Sequence, residues 1–317
     1  MTNIDGILTQ ISVGTETVWG TPVTPTVSIP VKPSTGMVPK QDVGEVEAID
    51  GTPAKVKSFY KGKLSHEGDF AVEAYPNMIG HFLKSVLGAV ADAQVGGETI
   101  VYKHTITEAV AKPSLTLEQN AGALCKRYSG FTVSDFKLST KVGSTVEIAI
   151  KALAKSQADS TPITAAYETT RPFNWTDIVT VSIGGTNIVT KIQDLEVEYK
   201  NNLSLLHGLS SSEPVARYVK QSMVTGKMTL FLDDATKAYY ASLLATTEAA
   251  IVIDMLGDTI GSSSKNELKI TIPKAAITKF DTKLGFDYNA ITIEFSGRRD
   301  ASAGLLTAEL TNVVASY

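Results

Sequence analysis

The chain has 317 residues, of which 43% are hydrophobic and 20% charged, so it can bury a large core and is not a disordered chain. Its formal net charge of −4, with no basic block, excludes the class of proteins whose main task is to grip nucleic acid. No apolar run is long enough for a membrane-spanning helix, and the N-terminus has no secretory signal pattern. The single cysteine, Cys125, cannot form an internal disulfide, which suits synthesis in a reducing cytoplasm.

The first predicted element is an extended, proline-containing arm over residues 14–39. Prolines in residues 17–26 cannot donate to a central strand ladder, and Trp19 is expected to anchor the arm through its apolar ring. A polar stretch at residues 37–56 follows, and a second one occupies residues 201–219. Both predict long loops.

Two helices are predicted. The clearer one covers residues 76–87, where Pro76 stands in the first turn and apolar residues recur at helical spacing until Gly88 ends the pattern. The second covers residues 235–245, with Asp233 as its N-terminal cap.

Most of the remaining sequence alternates polar and apolar residues at period two, which predicts antiparallel strands with one polar face. These strands cover residues 114–118, 131–134, 136–139, 146–150, 180–183, 195–199, 227–232, 250–254, 268–272 and 290–295. The fold class is therefore mainly β.

The two halves repeat the same order of elements: a long polar loop, a strand, a helix and two late strands. Gly62 and Tyr75 match Gly226 and Tyr239 at one constant spacing, and the first half carries additional residues after its helix. We predict a tandem repeat of one β-rich unit with a helix. The arm and first unit cover residues 1–154, a polar linker 155–175, and the second unit 176–317; chance similarity between strand patterns is the alternative.

Residues for chemistry are sparse. His207 lies near serines and Glu213, which could suggest a hydrolase, but a polar loop is the favoured interpretation because triads assemble from distant positions. Asp233 and Asp234 favour helix capping over acid–base catalysis, and Cys125 favours a half-buried structural role. We predict no catalytic, cofactor-binding or metal-binding residues, and hence no enzyme.

Three segments resemble the tail tube (major tail) proteins of long-tailed, non-contractile phages. They are the arm at residues 14–26, the run 70–76 leading into the first helix, and residues 201–212 leading into the strand at 226–230. The resemblance covers nearly the whole chain and rests on sequence patterns rather than on a catalytic motif. It implies tandem tail tube units, each a β-sandwich or barrel-like unit with one flanking α-helix. Copies of the chain would form rings with their sheets joined into one inner barrel, and the rings would stack into a tube that conducts DNA during ejection.

The resemblance also implies partners and contact residues. If the repeat is real, three chains with six units could close a ring of pseudo-six-fold symmetry. Tape-measure and tail terminator or initiator proteins, and transient DNA in the lumen, are the other expected partners in the virion tail. The polar loops would reach the next ring and the arm would bridge subunits, through Trp19, Pro22, Pro25, Val43, Val46, Ile49, Leu205, Leu206 and Leu209.

An acidic lumen would not retain a phosphate backbone, so acids on alternating strands are candidates for its wall. They are Glu118, Glu147, Glu196, Glu198 and Glu294, each of which could equally lie on an ordinary solvated strand face. The competing function is another virion or surface β-sandwich, such as a decoration or carbohydrate-binding module. Trp19 and Trp175 could serve a sugar site, although both lie next to prolines and favour anchoring.

Overall fold

The computed structural model describes residues 9–33, 36–283 and 289–317. Its first half contains the strands and helix β1 (Gln10–Thr15), β2 (Val27–Ile29), β3 (Gly36–Glu47), β4 (Val56–Glu73), α1 (Ile79–Leu87), β5 (Gly88–Gln94), β6 (Tyr102–Glu108), β7 (Leu115–Asn120), β8 (Cys125–Lys141), β9 (Glu147–Ala154) and β10 (Ser156–Asp159).

The second half contains β11 (Ile178–Ile183), β12 (Thr186–Asn187), β13 (Ile192–Lys200), β14 (Leu203–His207), β15 (Pro214–Val219), β16 (Met223–Phe231), α2 (Ala238–Leu244), β17 (Glu248–Ile260), β18 (Ser264–Lys283), β19 (Ala290–Gly297) and β20 (Thr307–Asn312). The predicted mainly-β fold class is confirmed.

The two halves share one antiparallel sheet of eight strands, here called the main sheet. Its order is β3-β4-β9-β8-β13-β16-β19-β18. The first four strands come from the first half and the last four from the second, so β8 and β13 form the junction between the halves. Strand β3 and the C-terminal part of β18 lie at the two edges.

A second layer packs on the main sheet in each half. In the first half its order is β2-β1-β7-β8-β10, and in the second half β12-β11-β17-β18-β20. The long strands β8 and β18 belong to both layers. The β5–β6 hairpin follows α1 in sequence but extends the second half's layer, because β6 pairs with β20.

The pairing register gives the correspondence between the halves. Shifts in register interrupt β7·β8 near Leu115 and β8·β9 near Val133, and the same interruptions recur in β17·β18 near Ala249 and β18·β19 near Ile277. Counting from these shifts, Gly68 of β4 occupies the position of Gly226 in β16. The sequence match of Gly62 with Gly226 therefore pairs residues that are not equivalent in the structure, and the same is true of Tyr75 with Tyr239. The β5–β6 hairpin accounts for the additional residues after α1.

Both segments predicted as polar loops are β-hairpins. Strands β3 and β4 pair as far as Glu47 and Val56, beyond the main sheet, and β14 and β15 form a two-stranded sheet of their own. The prediction of loops was wrong because strands that do not bury one face carry no apolar alternation.

The core lies between the main sheet and the second layers. Phe131, Phe173, Tyr199 and Phe295 are among its largest fully buried side chains. Each apolar side chain of this size contributes roughly 1.5–3 kcal/mol when it is removed from water. Phe173 belongs to the predicted linker, so this part of the linker is packed into the core.

The two helices differ in burial. Seven of the nine residues of α1 are buried, whereas no residue of α2 is. The next residue after α1, Gly88, has a φ of 118°, which permits the chain to turn directly into β5.

Candidate assembly surfaces

The open face of the main sheet is polar because each strand alternates its side chains between the core and the opposite side. On β13, for example, Leu195 and Val197 are buried, and Glu196 and Glu198 point away from the core. Four of the five acids predicted for a lumen wall lie on this face: Glu147, Glu196, Glu198 and Glu294. These four acids and their neighbours form one continuous charged surface across both halves.

Lysines accompany these acids. Lys137 of β8 lies 2.9 Å from Glu196 across the junction between the halves, and Lys200 lies 2.8 Å from Glu198. Glu147 lies 2.5 Å from Lys32, and Glu294 lies 3.6 Å from Lys279. The face therefore carries partly exposed ion pairs around these acids rather than isolated carboxylates.

The fifth acid, Glu118, is not on this face. It lies on β7 in the second layer, its side chain is only 1% exposed, and Arg127 binds it through Nη2 at 2.7 Å. Burial alone would raise the pKa of Glu118, but hydrogen bonds from Arg127, the Ile163 N–H and Ser160 outweigh burial and lower it. Glu118 therefore has a structural role, and assigning it to a lumen wall was wrong.

The N-terminal arm packs on its own chain. Trp19 donates from Nε1 to the Gly130 carbonyl oxygen at 3.1 Å, with the Lys155 ammonium 4.9 Å above the ring and the Arg217 guanidinium 5.5 Å from it. Of the arm's predicted contact residues, Pro25 is buried, and only Pro22 is exposed. Trp19 is thus an anchor within the chain, as its apolar ring suggested.

The β3–β4 hairpin presents apolar side chains to solvent. Val43, Val46 and Ile49 are exposed, as a contact surface requires. Two further exposed aromatic residues, Phe59 and Tyr60, lie on the facing strand and were not predicted. The signal for them was the aromatic pair within an otherwise polar run.

The β14–β15 hairpin carries the remaining predicted contacts. Leu206 and Leu209 are exposed and Leu205 is half-buried. The hairpin is fixed to β4 at one residue: Leu64 donates its N–H to the Ser212 carbonyl at 2.8 Å, and its carbonyl lies 3.0 Å from His207 Nε2. His207 therefore positions the hairpin, consistent with the loop interpretation rather than a hydrolase.

A family model matches the chain. The family described as phage tail tube protein matches residues 6–301, which is nearly the whole chain. The chain belongs to the phage tail tube protein family. A comparison with curated proteins returns no match.

As a tail tube protein, the chain is a structural component of the virion tail that assembles with itself into a tube. Within the described ranges, no group of three or more His, Cys, Asp or Glu side chains is arranged to hold a metal ion. Its two described helices have nine and seven residues and are too short to cross a bilayer.

The other residues weighed for chemistry also have local roles in the tail tube protein. Asp233 Oδ1 accepts the N–H groups of Ala235 and Thr236 at 3.0 and 2.8 Å, which caps the turn that leads into α2. Cys125 is half-buried, and burial raises the pKa of its thiol, which disfavours the reactive thiolate.

Proposed function

We propose that three copies of this tail tube protein close into a ring of pseudo-six-fold symmetry, with the two halves of each chain acting as tandem repeats. The supporting observation is the β8·β13 ladder, which joins two equivalent four-stranded sheets within one chain. Strand β3 is the counterpart of β13, and the C-terminal part of β18 is the counterpart of β8. The two edges of the main sheet are therefore the same pair of strands that already meet inside the chain.

The internal junction supplies a register for the junction between copies. In the chain, Glu198 lies opposite Lys137 and Tyr199 opposite Phe136. The same alignment places Val38 of β3 opposite Asp281 of β18 in the next copy. Pairing of exposed edges would leave no free edge in the closed ring, which also protects the sheet from unspecific association.

The remaining surfaces fit a stacked tube. The open face of the main sheet, with Glu147, Glu196, Glu198 and Glu294, would line the lumen, where paired charges would let the phosphate backbone of DNA pass without being retained. The exposed apolar residues of the two hairpins would contact the adjacent ring, and the exposed Pro22 of the arm a neighbouring subunit.

The wider setting follows from the same role. We expect synthesis in the host cytoplasm, contact with tape-measure and terminator or initiator proteins at the tube ends, and no catalytic activity. The tape-measure and terminator or initiator proteins would bind the two faces of the ring, where the hairpins lie.

A disulfide test addresses the junction between copies. In a Cys125→Ser background, the Val38→Cys and Asp281→Cys double variant should form disulfide-linked dimers and trimers under oxidising conditions. These two positions correspond to a pair without mutual hydrogen bonds, where Cα atoms lie about 4.5–5.5 Å apart, which suits a disulfide.

The matched control is Val38→Cys with Lys283→Cys, which is displaced by two residues and lies roughly 7–8 Å away on the diagonal. Negative-stain electron microscopy of the same samples should show rings or tubes with three-fold averages. Equal cross-linking of both pairs, or rings without cross-links, would contradict the proposed junction.

A further inference from the structure

The two helices occupy equivalent places, and their residues can be matched through the strands beneath them. The match of Gly68 with Gly226 continues into the helices, because Ile79 donates its N–H to the Tyr75 carbonyl as Lys237 donates to the Asp233 carbonyl. Tyr240 is therefore the counterpart of Phe82, and Leu244, one turn further along, is the counterpart of Val86. Tyr240 meets Phe280, the counterpart of Phe136, with ring centroids 5.5 Å apart.

One face of each helix packs on its own half. Ser85 of α1 is buried and accepts the Val133 N–H of its own half at 3.1 Å, and its counterpart Leu243 of α2, with Tyr239, packs against the core as a partly buried residue. This face is formed in both halves without any further partner.

The other face of α1 is covered by the second half of the chain. Phe82 and Val86 are 4% and 0% exposed, and a small cavity beside Val86 is lined from the second half by Val197, Tyr199, Ile270 and Leu306. The start of the β14–β15 hairpin reinforces the contact, because Asn201 donates from Nδ2 to the Val86 carbonyl at 2.7 Å.

The matching face of α2 is uncovered. Tyr240 is 52% exposed and Leu244 is 70% exposed. Their counterparts Phe82 and Val86 are buried by the second half, whereas no element in the described part of the chain buries Tyr240 and Leu244 in the same way. The same helix face is thus buried in the first half and exposed to solvent in the second.

We propose that this face of α2, the α2 patch formed by Tyr240 and Leu244, is a docking surface for the first half of a second copy of the chain. This inference rests on the proposed ring. Strand β3 of the second copy would lie over α2 as β13 lies over α1, with Met37 and Pro39 in the places of Val197 and Tyr199.

Three observations favour a second copy as the occupant. The patch is continuous with the free edge of β18, against which α2 packs. Pro39 is exposed and presents an apolar ring on the side of β3 that faces the core layer. Gln41, the counterpart of Asn201, also carries an amide that can donate to the last carbonyls of a helix.

Thiol labelling tests the α2 patch directly. In a Cys125→Ser background, Leu244→Cys should react quickly with a maleimide in unassembled protein and about tenfold or more slowly in assembled rings or tubes, because burial requires local opening before reaction. The control Val110→Cys lies on a 95% exposed residue near the junction inside the chain and should react at the same rate in both states.

A second variant tests the energetic role of the α2 patch. Leu244→Asp should leave thermal unfolding of the unassembled chain unchanged, since the side chain is exposed, but raise the concentration needed for assembly by about tenfold or more. Val110→Asp should assemble like the unsubstituted chain.

The outcomes separate this inference from the proposed ring. Rings that form normally from Leu244→Asp, or rings in which the thiol of the Leu244→Cys variant stays fully reactive, would overturn the α2 patch and leave the ring standing. Absence of any ring or tube from the unsubstituted chain would overturn both.

Discussion

Among single residues, Glu118 shows how this protein tolerates a charge inside its second layer. The carboxylate is almost fully buried and accepts hydrogen bonds from Arg127, Ser160 and the Ile163 N–H. Removing one partner of such a group leaves an uncompensated charge, which costs far more than the pair contributes.

Arg127→Leu should therefore lower the free energy of unfolding by about 3 kcal/mol, measured by urea denaturation. The adjacent Lys126→Leu is the control, because its partner Asp159 is 88% exposed and a surface pair is worth less than about 1 kcal/mol. Similar losses in both variants would show that the burial of Glu118 is not what makes Arg127 important.

The imidazole of His81 should make the unassembled protein sensitive to acid. Burial, together with the Lys84 charge, lowers the pKa of His81 from 6.5 to about 4. Below pH 6.5 the unfolded chain binds a proton that the folded chain rejects, so the stability present at neutral pH is lost as pH falls from 6.5 towards 4, by at most about 3 kcal/mol. His81→Phe should reduce this loss in urea titrations at pH 7 and pH 4.5; an unchanged difference between the two pH values would rule out His81 as its source.

Among the elements, the edge strand β3 has one backbone N–H donor fewer than its counterpart β13. In the β8·β13 ladder the Asn201 N–H donates to the Ser134 carbonyl at 2.8 Å, and Tyr199, two residues earlier, has the same orientation. Pro39 is the counterpart of Tyr199 and has no N–H to donate. The free edge thus offers one hydrogen bond fewer than the internal junction, a common protection of edge strands.

Pro39→Val should restore that donor. We expect assembly at a concentration about fivefold lower, since one hydrogen bond contributes about 1 kcal/mol, measured by light scattering against concentration. Val110→Thr, at an exposed residue outside both hairpins and away from the β3 edge, is the control. If Pro39→Val assembles at the original concentration, then Pro39 does not limit pairing at this edge.

The elements also divide into those that the sequence could predict and those that it could not. Strands such as β9 and β19 bury one face, so Ile148 and Ile291 alternate with polar residues and reveal the strand. The β3–β4 hairpin exposes both faces, so Val43 appears as an isolated apolar residue in a polar run, and the β14–β15 hairpin is mostly half-buried, so its adjacent Leu205 and Leu206 show no alternation. The acids on the open face were predictable from alternation, whereas the burial of Glu118 depends on Arg127 and on the distant Ser160, which no local pattern indicates.

Across the whole molecule, the halves are joined more firmly than copies of the chain would be. The internal junction combines the β8·β13 ladder, the β6·β20 ladder and the burial of α1. A junction between copies would have the β3·β18 edges and the α2 patch, but no counterpart of the β5–β6 hairpin. A ring under strain should accordingly open between chains rather than between the halves of one chain.

The β6·β20 ladder also sets the order in which a nascent chain can fold. His104 lies opposite Leu310, so β6, which is made early on the ribosome, waits for the much later β20 before its second neighbour arrives. Pairing over such a separation is slow, and at about 5–20 residues per second synthesis itself imposes a delay of many seconds. During that delay β3 has already emerged from the ribosome. On a polysome many incomplete copies of the same edge lie side by side, and the missing N–H of Pro39 disfavours pairing of β3 with them.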